Sequence, residues 1–387
     1  MNMTCHSVRI AGITAAGFAF PENWNGFLVR DTAENAHDAH IIIRRLPEEA
    51  PKAVFPKHDW RDLRALLQRT ADAAPLDNGD WLLRNPLTRE VLPLRCSPDY
   101  GQISVYAADA ESLQHPEALS LLRTAVECRF CHESVISLHA ACVEGDCYAI
   151  CFTGDSGVGK STRARAWTQA LGASFISGDR PAIRLEKTGC SVCGVPWDGK
   201  EQIFQNTQRP LTAIFEVRRA PFTRLRKLST DEAYTALMRQ CFIPMWDTDT
   251  AVLAMVNVRR LSRSIPVYRL FCGPDAESAR ETYRILFQAP ENIREELPDM
   301  QIKEGFILRS IGDEHMVLPT GDKIAKFGGA VVLNDTAAYI FEQLKQPVSA
   351  EDLLSLMLSE FDTDEASAKS DLAELLDQFR EMGILDE

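Results

Sequence analysis

The spacing of hydrophobic positions changes twice along this chain. From residue 1 to about 115, apolar residues come in short runs broken by turn residues: Val8–Ile13, Gly26–Val29, His40–Arg44, Trp81–Arg84, Val91–Arg95 and Ile103–Ala107. Such runs predict strands. One helical pattern, Trp60–Ala74, interrupts them. From 116 to 288, strand-like and helix-like patterns alternate, as in an α/β domain. Pro116–Val135 predicts a helix, and Cys147–Phe152, Phe175–Ile176, Ala182–Leu185, Thr212–Val217 and Val267–Phe271 predict strands. Ser229-Thr230-Asp231-Glu232 has capping-box spacing and predicts a helix to about Gln240; Asp275–Phe287 predicts another. Residues 289–304 are charged, hold two prolines and lack a clear period, which predicts a linker. Within 305–387, strands are predicted at Phe306–Ser310, Met316–Leu318 and Ala330–Leu333. Helices follow at Asp335–Leu344, Ala350–Phe361 and Ala366–Met382, with Asn334 as a cap and Gly383 as a stop. Three strands then three helices predict a small winged-helix-like α+β domain.

One segment changes this picture from shape to chemistry. Gly154-Asp155-Ser156-Gly157-Val158-Gly159-Lys160-Ser161 fits G-x-x-x-x-G-K-[ST], the phosphate-binding P-loop, at every fixed position. Glycines let the backbone curl until successive N–H groups face a phosphate. The lysine reaches the β- and γ-phosphates, and the Ser161 hydroxyl holds Mg²⁺. The apolar run Cys147–Phe152 before it and the helix-compatible Thr162–Leu171 after it supply the strand and helix that the motif needs. The expected fold is therefore an α/β P-loop domain (116–288) between an N-terminal strand-rich α+β region (1–115) and the small C-terminal domain (305–387). ATP and Mg²⁺ are the expected cofactors.

Composition narrows the partners. The 387 residues carry a formal charge of −13, which argues against broad nucleic-acid binding. No apolar run is long enough to span a bilayer, so no membrane partner is expected, and Ile10–Phe20 lacks the basic start of a signal peptide. Eleven cysteines without an export signal point to reduced thiols and a cytoplasmic location. Two C-x-x-C pairs occur, Cys128/Cys131 and Cys190/Cys193. The first lies inside a predicted helix, so buried free thiols are expected rather than a zinc knuckle.

Neighbours of the loop suggest the reaction. His139 precedes the P-loop strand, and Asp179 ends the next predicted strand, in Ser177-Gly178-Asp179-Arg180. In a parallel sheet, strand C-termini share one edge with the loop, which would bring Asp179 to the γ-phosphate. There it can bind Mg²⁺ or take the proton of an attacking hydroxyl. Gly194-Val195-Pro196-Trp197-Asp198-Gly199-Lys200-Glu201 looks like an active-site rim in which Lys200 could stabilise phosphate charge and Glu201 could touch Mg²⁺. Arg218, Arg219, Arg224, Arg226 and Lys227 form a basic run that could receive a phosphate or an acidic segment, or form a solvated face.

These residues resemble the HPr kinase/phosphorylase family over about 130–290. That family shows a His before the P-loop strand, a G-D-S-G-x-G-K-S loop, and an acidic pair followed by Arg; here they stand as His139, Gly154–Ser161 and Gly178-Asp179-Arg180. The acidic pair is reduced to Asp179, because Gly178 fills its first position, and no segment matches the phosphorolysis signature. The resemblance implies catalytic roles for Asp179, His139 and Lys160, with nucleotide held along Gly154–Thr162 and Mg²⁺ shared by Ser161, Asp179 and Glu201. The Gly194–Glu201 segment resembles one in HPr-kinase-like proteins of peptide-modification pathways. The family's hexamers leave a homo-oligomer open.

Residues 306–385 resemble the PqqD-like peptide-recognition domain of ribosomal-peptide biosynthesis, through Val332–Ile340, Ala350–Leu354 and the final helix. Such domains bind a leader peptide as an added strand. The resemblance places the leader between the Val331–Leu333 edge and the last helix, near Leu372, Leu376 and Phe379. Together the two resemblances imply an ATP-dependent kinase acting on a Ser or Thr hydroxyl of a precursor peptide, working beside other maturation enzymes. The alternatives are a nucleotide-gated peptide carrier and a small-molecule kinase, for example on serine.

Overall fold

The computed structural model describes residues 6–17, 24, 27–29, 40–46, 49–55, 71–85, 93–107, 115–197, 203, 205–220, 222–295, 299–311, 314–323 and 329–386. The chain divides into two compact units, Met1–Arg219 with Thr223–Arg294, and Ala220–Phe222 with Glu295–Glu387. The fold is mixed α/β with several sheets.

The first unit is organised on a sheet in which six strands run in the order Ser174–Ser177, Ala140–Glu144, Ala149–Thr153, Ala213–Arg219, Val267–Cys272 and Arg224–Lys227. The three strands beginning at Ala149, Ala213 and Val267 are parallel, and the strands flanking them, Ala140–Glu144 and Arg224–Lys227, are antiparallel. Ala149–Thr153 is buried throughout. That is why it reads as a continuous apolar run and not as an alternation.

The two faces of this sheet have separate cores. On one, helices Lys160–Leu171 and Ala276–Phe287 cover Phe152, Phe215 and Leu270. Trp167 is the centrepiece, edge-on to both Tyr148 and Phe152. On the other, helices Thr230–Met238 and Thr248–Ser264 pack with a four-stranded sheet of Gln208–Pro210, Cys190–Cys193, Ala182–Leu185 and Val135–Ser137. The capping box at Ser229 and Glu232 forms as its spacing predicts. Thr248–Ser264 has no counterpart in the sequence reading. Its buried Ala251, Ala254, Val258 and Leu261 mark one face, but exposed Val252, Leu253 and Val256 blur the period.

The N-terminal residues form an eight-stranded sheet, in the order Leu28–Val29, His6–Ile10, Ile13–Gly17, Ile41–Leu46, Gln102–Tyr106, Leu94–Cys96, Trp81–Arg84 and Asp72–Pro75. The run Val8–Ile13 is not one strand: Ala11 and Gly12 take positive φ and turn it into a hairpin. The predicted helix Trp60–Ala74 lies outside the described residues up to 70, and its end is corrected to the strand Asp72–Pro75. Helix Pro116–His132 packs on this sheet, so Leu121, Leu122 and Val126 share one core with Val8, Ile43 and Ile103 across residue 115. That helix stops short of Val135 because Ser134 takes φ 57° and the chain turns into Val135–Ser137. Cys128 and Cys131 on the helix and Cys190 and Cys193 on their strand are buried, free thiols.

In the second unit, Phe306–Ile311, Glu314–Pro319 and Val331–Leu333 form an antiparallel meander. Helices Asp335–Gln343, Ala350–Glu360 and Glu365–Glu381 follow, capped by Asn334, Ser349 and Asp364. Part of the predicted linker is a strand. Asp299–Ile302 sits between Val348–Ser349 and Leu385–Asp386, with Met300 and Ile302 buried. Two apolar positions in four residues are too few to show a period. Among the described residues, no helix is long and apolar enough to cross a membrane.

Trp167 is 1% exposed and touches aromatic rings from three elements. Trp167→Ala should destabilise the first unit by about 3–5 kcal/mol, read as a lower denaturant midpoint by circular dichroism.

Candidate functional site

Strand direction assembles the site. Ala140 pairs with Thr153 in antiparallel register, so the start of one strand and the end of the other lie at one sheet edge. On the far side of Ala140–Glu144, Cys142 pairs with Ser177, and the chain leaving Ser177 emerges at that same edge. The glycine-rich loop, His139 and Asp179 therefore converge. Asp179 does not follow a parallel neighbour of the loop strand, as the sequence reading had it; an antiparallel strand intervenes and contributes His139.

The loop is built by backbone conformations that glycine favours. Gly154 has φ 135°, and a Cβ there would lie 3.2 Å from the Val217 carbonyl oxygen. Gly157 and Gly159 have φ 82° and 106°. Gly159 caps the helix that begins at Lys160, so Ser161 and Thr162 stand in its first turn, where the helix dipole favours anions. Asp155, Ser156 and Gly157 are exposed, and Val158, Gly159, Lys160 and Ser161 are half-buried. Lys160 Nζ donates to the carbonyls of Gly154 (3.0 Å) and Asp155 (3.1 Å). Arg219 donates to the carbonyls of Gly157 and Val158 from the adjacent strand.

His139 Nε2 lies 3.7 Å from Asp179 Oδ1, an ion-pair separation too long for a hydrogen bond. Thr153 Oγ1 donates to the His139 carbonyl (2.9 Å), tying it to the end of the loop strand. The His139 N–H donates to the Gln240 carbonyl (2.8 Å), and Gln240 Nε2 donates to Asp155 Oδ1 (3.3 Å). Gln240 thus joins His139 to the loop. No local pattern marks this role, because the Gln240–Asp155 contact spans 85 residues.

Burial, followed by the positive charge of Lys160, holds the His139 pKa below the ordinary 6.5; Asp179 acts the other way. Burial also lowers the Lys160 pKa, against the pull of Asp179 and Asp155. The imidazole is therefore mostly neutral at pH 7 and can accept or relay a hydrogen bond. Asp179 lies beside it, about 29% exposed, within reach of a proton donor from solvent.

The basic run does not form one patch. Arg218 and Arg269 both pair with the buried Glu216 at 2.8 Å, beside the loop strand. Arg226 is buried on Glu232, and Arg219 is spent on the loop. Breaking up such a buried triad would leave an uncompensated charge, so its place is structural. Glu201 lies outside the described residues, as do Asp198, Gly199 and Lys200. The preceding residues form core rather than rim. Trp197 packs on Trp24 and Phe130, and a Cβ at Gly194 would collide with the Gln205 carbonyl. Among the described residues, no three His, Cys, Asp or Glu side chains are arranged to hold a metal ion. Ser161 and Asp179 alone would leave most of the coordination of Mg²⁺ to phosphate and water, which is how that ion is usually held.

The second unit holds another site. Val331–Leu333 pairs only with Glu314–Pro319 among the described residues, leaving its other edge open. Between that edge and the last helix runs a groove of about 430 Å³, lined by Val332, Asn334, Ala337, Leu372 and Leu375 among others. Leu372 lines it as the sequence reading expected. Leu376 and Phe379 do not: they are buried beneath, Phe379 edge-on to Phe341. The groove face instead carries Asp371, Glu374, Leu375 and Gln378, one helical step away.

Residues 314–385 match the family model described as Coenzyme PQQ synthesis protein D (PqqD). The second unit contains a PqqD-like domain. No curated protein matches the chain. Among solved structures, "TbiB1 in Complex with the TbiA(beta) Leader Peptide" is similar at 19% identity, over 22% of this chain and 94% of that one, with a TM-score of 0.20.

A histidine whose folded pKa is depressed costs stability as pH falls through its unfolded value. The His139 imidazole should titrate by NMR with a midpoint below 6.5, and His139→Gln should reduce the loss of stability between pH 7 and 5.

Proposed function

We propose that this chain is an ATP-dependent kinase that phosphorylates a Ser or Thr hydroxyl of a ribosomally made precursor peptide. The observation that carries the reading is the joining, in one chain, of a PqqD-like domain with an open strand edge and a glycine-rich loop beside the His139–Asp179 pair.

The PqqD-like domain captures the leader, which adds as a strand to Val331–Leu333 and fills the groove against the last helix. Tethering holds the core of the peptide at an effective concentration of roughly millimolar, so the catalytic pocket needs little affinity of its own. Loop amides and the first turn at Ser161 and Thr162 bind the phosphates. Lys160 exchanges its contacts with the Gly154 and Asp155 carbonyls for phosphate oxygens. Ser161 and Asp179 are the side chains that would hold Mg²⁺, with Glu201 as a third, and the ion would neutralise phosphate charge.

The acceptor oxygen attacks the γ-phosphorus in line. Its bond to the β–γ bridging oxygen breaks, and ADP leaves with that electron pair. Asp179 takes the hydroxyl proton, and neutral His139 orients its carboxylate. Gln240 keeps His139 and the loop in register.

Gly178 favours a second reading, since it leaves one carboxylate where the resembled family uses two. On that reading the chain binds nucleotide and peptide and delivers the peptide with little transfer. A small-molecule kinase, for example on serine, would differ in turning over without the PqqD-like domain.

Radiolabelled ATP and Mg²⁺ with precursor peptides encoded beside this protein separate the three. The kinase reading expects one phosphate on the peptide. Lys160→Ala and Asp179→Asn should each lower the rate by at least ~10²-fold. Thr336 lines the groove, and Thr336→Trp, which fills it, should raise KM for the peptide. Unimpaired transfer by Asp179→Asn would sink the assigned chemistry, and nucleotide binding without transfer would leave the carrier.

A further inference from the structure

The groove of the PqqD-like domain has a charge as well as a shape. Asp371, Glu374, Leu375 and Gln378 stand at i, i+3, i+4 and i+7 on the last helix and line one wall. Val332, 65% exposed on the open strand, lines the other. Among the described lining residues two are acidic and none is basic. Neither carboxylate has a cationic partner among the described residues: Glu374 accepts only a 3.4 Å bond from Gln378. Elsewhere on the same helix, Asp377 is paired with Arg380.

The asymmetry extends to the whole unit. Residues 295–387 contain 21 Asp and Glu against 7 Lys and Arg, a formal charge of −14, while the full chain is −13. The remainder is therefore close to neutral, and the negative field of this protein belongs to its peptide-binding unit. Such a field steers cationic partners and repels anionic ones.

We infer that the peptide segment recognised by this groove is basic. It is an extended stretch that lays apolar side chains on Val332 and Leu375 and sets a Lys or Arg against Asp371 and Glu374. This rests on reading the groove as the leader's seat and adds the chemistry that selects the leader. Alternation along an added strand points every second side chain to the helix, so the basic and apolar contacts fall two residues apart. The apolar contacts supply most of the affinity. The carboxylates discriminate, because an acidic leader would place like charges together in a half-enclosed groove.

The test uses the full-length protein, immobilised, to select from a phage library of random peptides about twelve residues long at low salt. Peptides lost on the Thr336→Trp protein, which fills the groove, are the groove's own. They should carry Lys or Arg at one fixed offset from a large apolar residue. By fluorescence anisotropy they should lose at least about tenfold in affinity on Asp371→Lys/Glu374→Lys, and less on Asp371→Asn/Glu374→Gln. Affinity should also fall at ~0.5 M salt, where exposed charges are screened. Groove-dependent peptides that are neutral or acidic would overturn the inference and leave the groove as a peptide seat. If no selected peptide depends on Thr336, both readings fall.

Discussion

The antiparallel strand Ala140–Glu144, inserted between two strands that run the other way, is the constraint on which the first unit's chemistry depends. It pairs with Ala149–Thr153 on one side and Ser174–Ser177 on the other. Because its direction is reversed, its beginning meets their ends. One sheet edge thereby receives a histidine, a glycine-rich loop and an acidic turn from three stretches of chain. The strand can hold this position because Ala140 to Val143 are fully buried, so a slip of register would move apolar side chains off both cores.

Polarity at that edge is managed by short ties rather than by bulk. Thr153, Gln240 and Arg219 each bond a backbone carbonyl or a side chain of the site. The buried arginines Arg269 and Arg226 are bound elsewhere, on Glu216 and Glu232. Lys160 and Arg180 both act on the half-buried His139 and favour its neutral form. A neutral imidazole beside a carboxylate is the result, an arrangement suited to moving or orienting a proton.

The second unit separates its roles by helix face. On Glu365–Glu381, Leu376 and Phe379 face the core, Asp371, Glu374 and Leu375 face the groove, and Leu372 sits at the boundary, buried yet lining the groove. Core and groove therefore draw largely on different residues one step apart. This division explains why a strongly acidic unit keeps an apolar interior.

How much was legible follows the range of the forces involved. Local chemistry was plain: the glycines and Lys160, the capping box at Ser229, the Asn334 cap and the three C-terminal helices all declare themselves within a few residues. A continuous apolar run marked the loop strand Ala149–Thr153. What stayed hidden depended on distant partners. Thr248–Ser264 hides its helical face behind exposed valines, Asp299–Ile302 is a strand only because two others flank it, and Gln240 gains meaning from Asp155. The sequence by itself determined where the glycine-rich loop pattern, the titratable side chains and the helix caps lie, because those are properties of side chains and local backbone. Only the tertiary structure decided which of them meet, and which face of the last helix is groove rather than core. Strand direction and burial are set by contacts far apart along the chain.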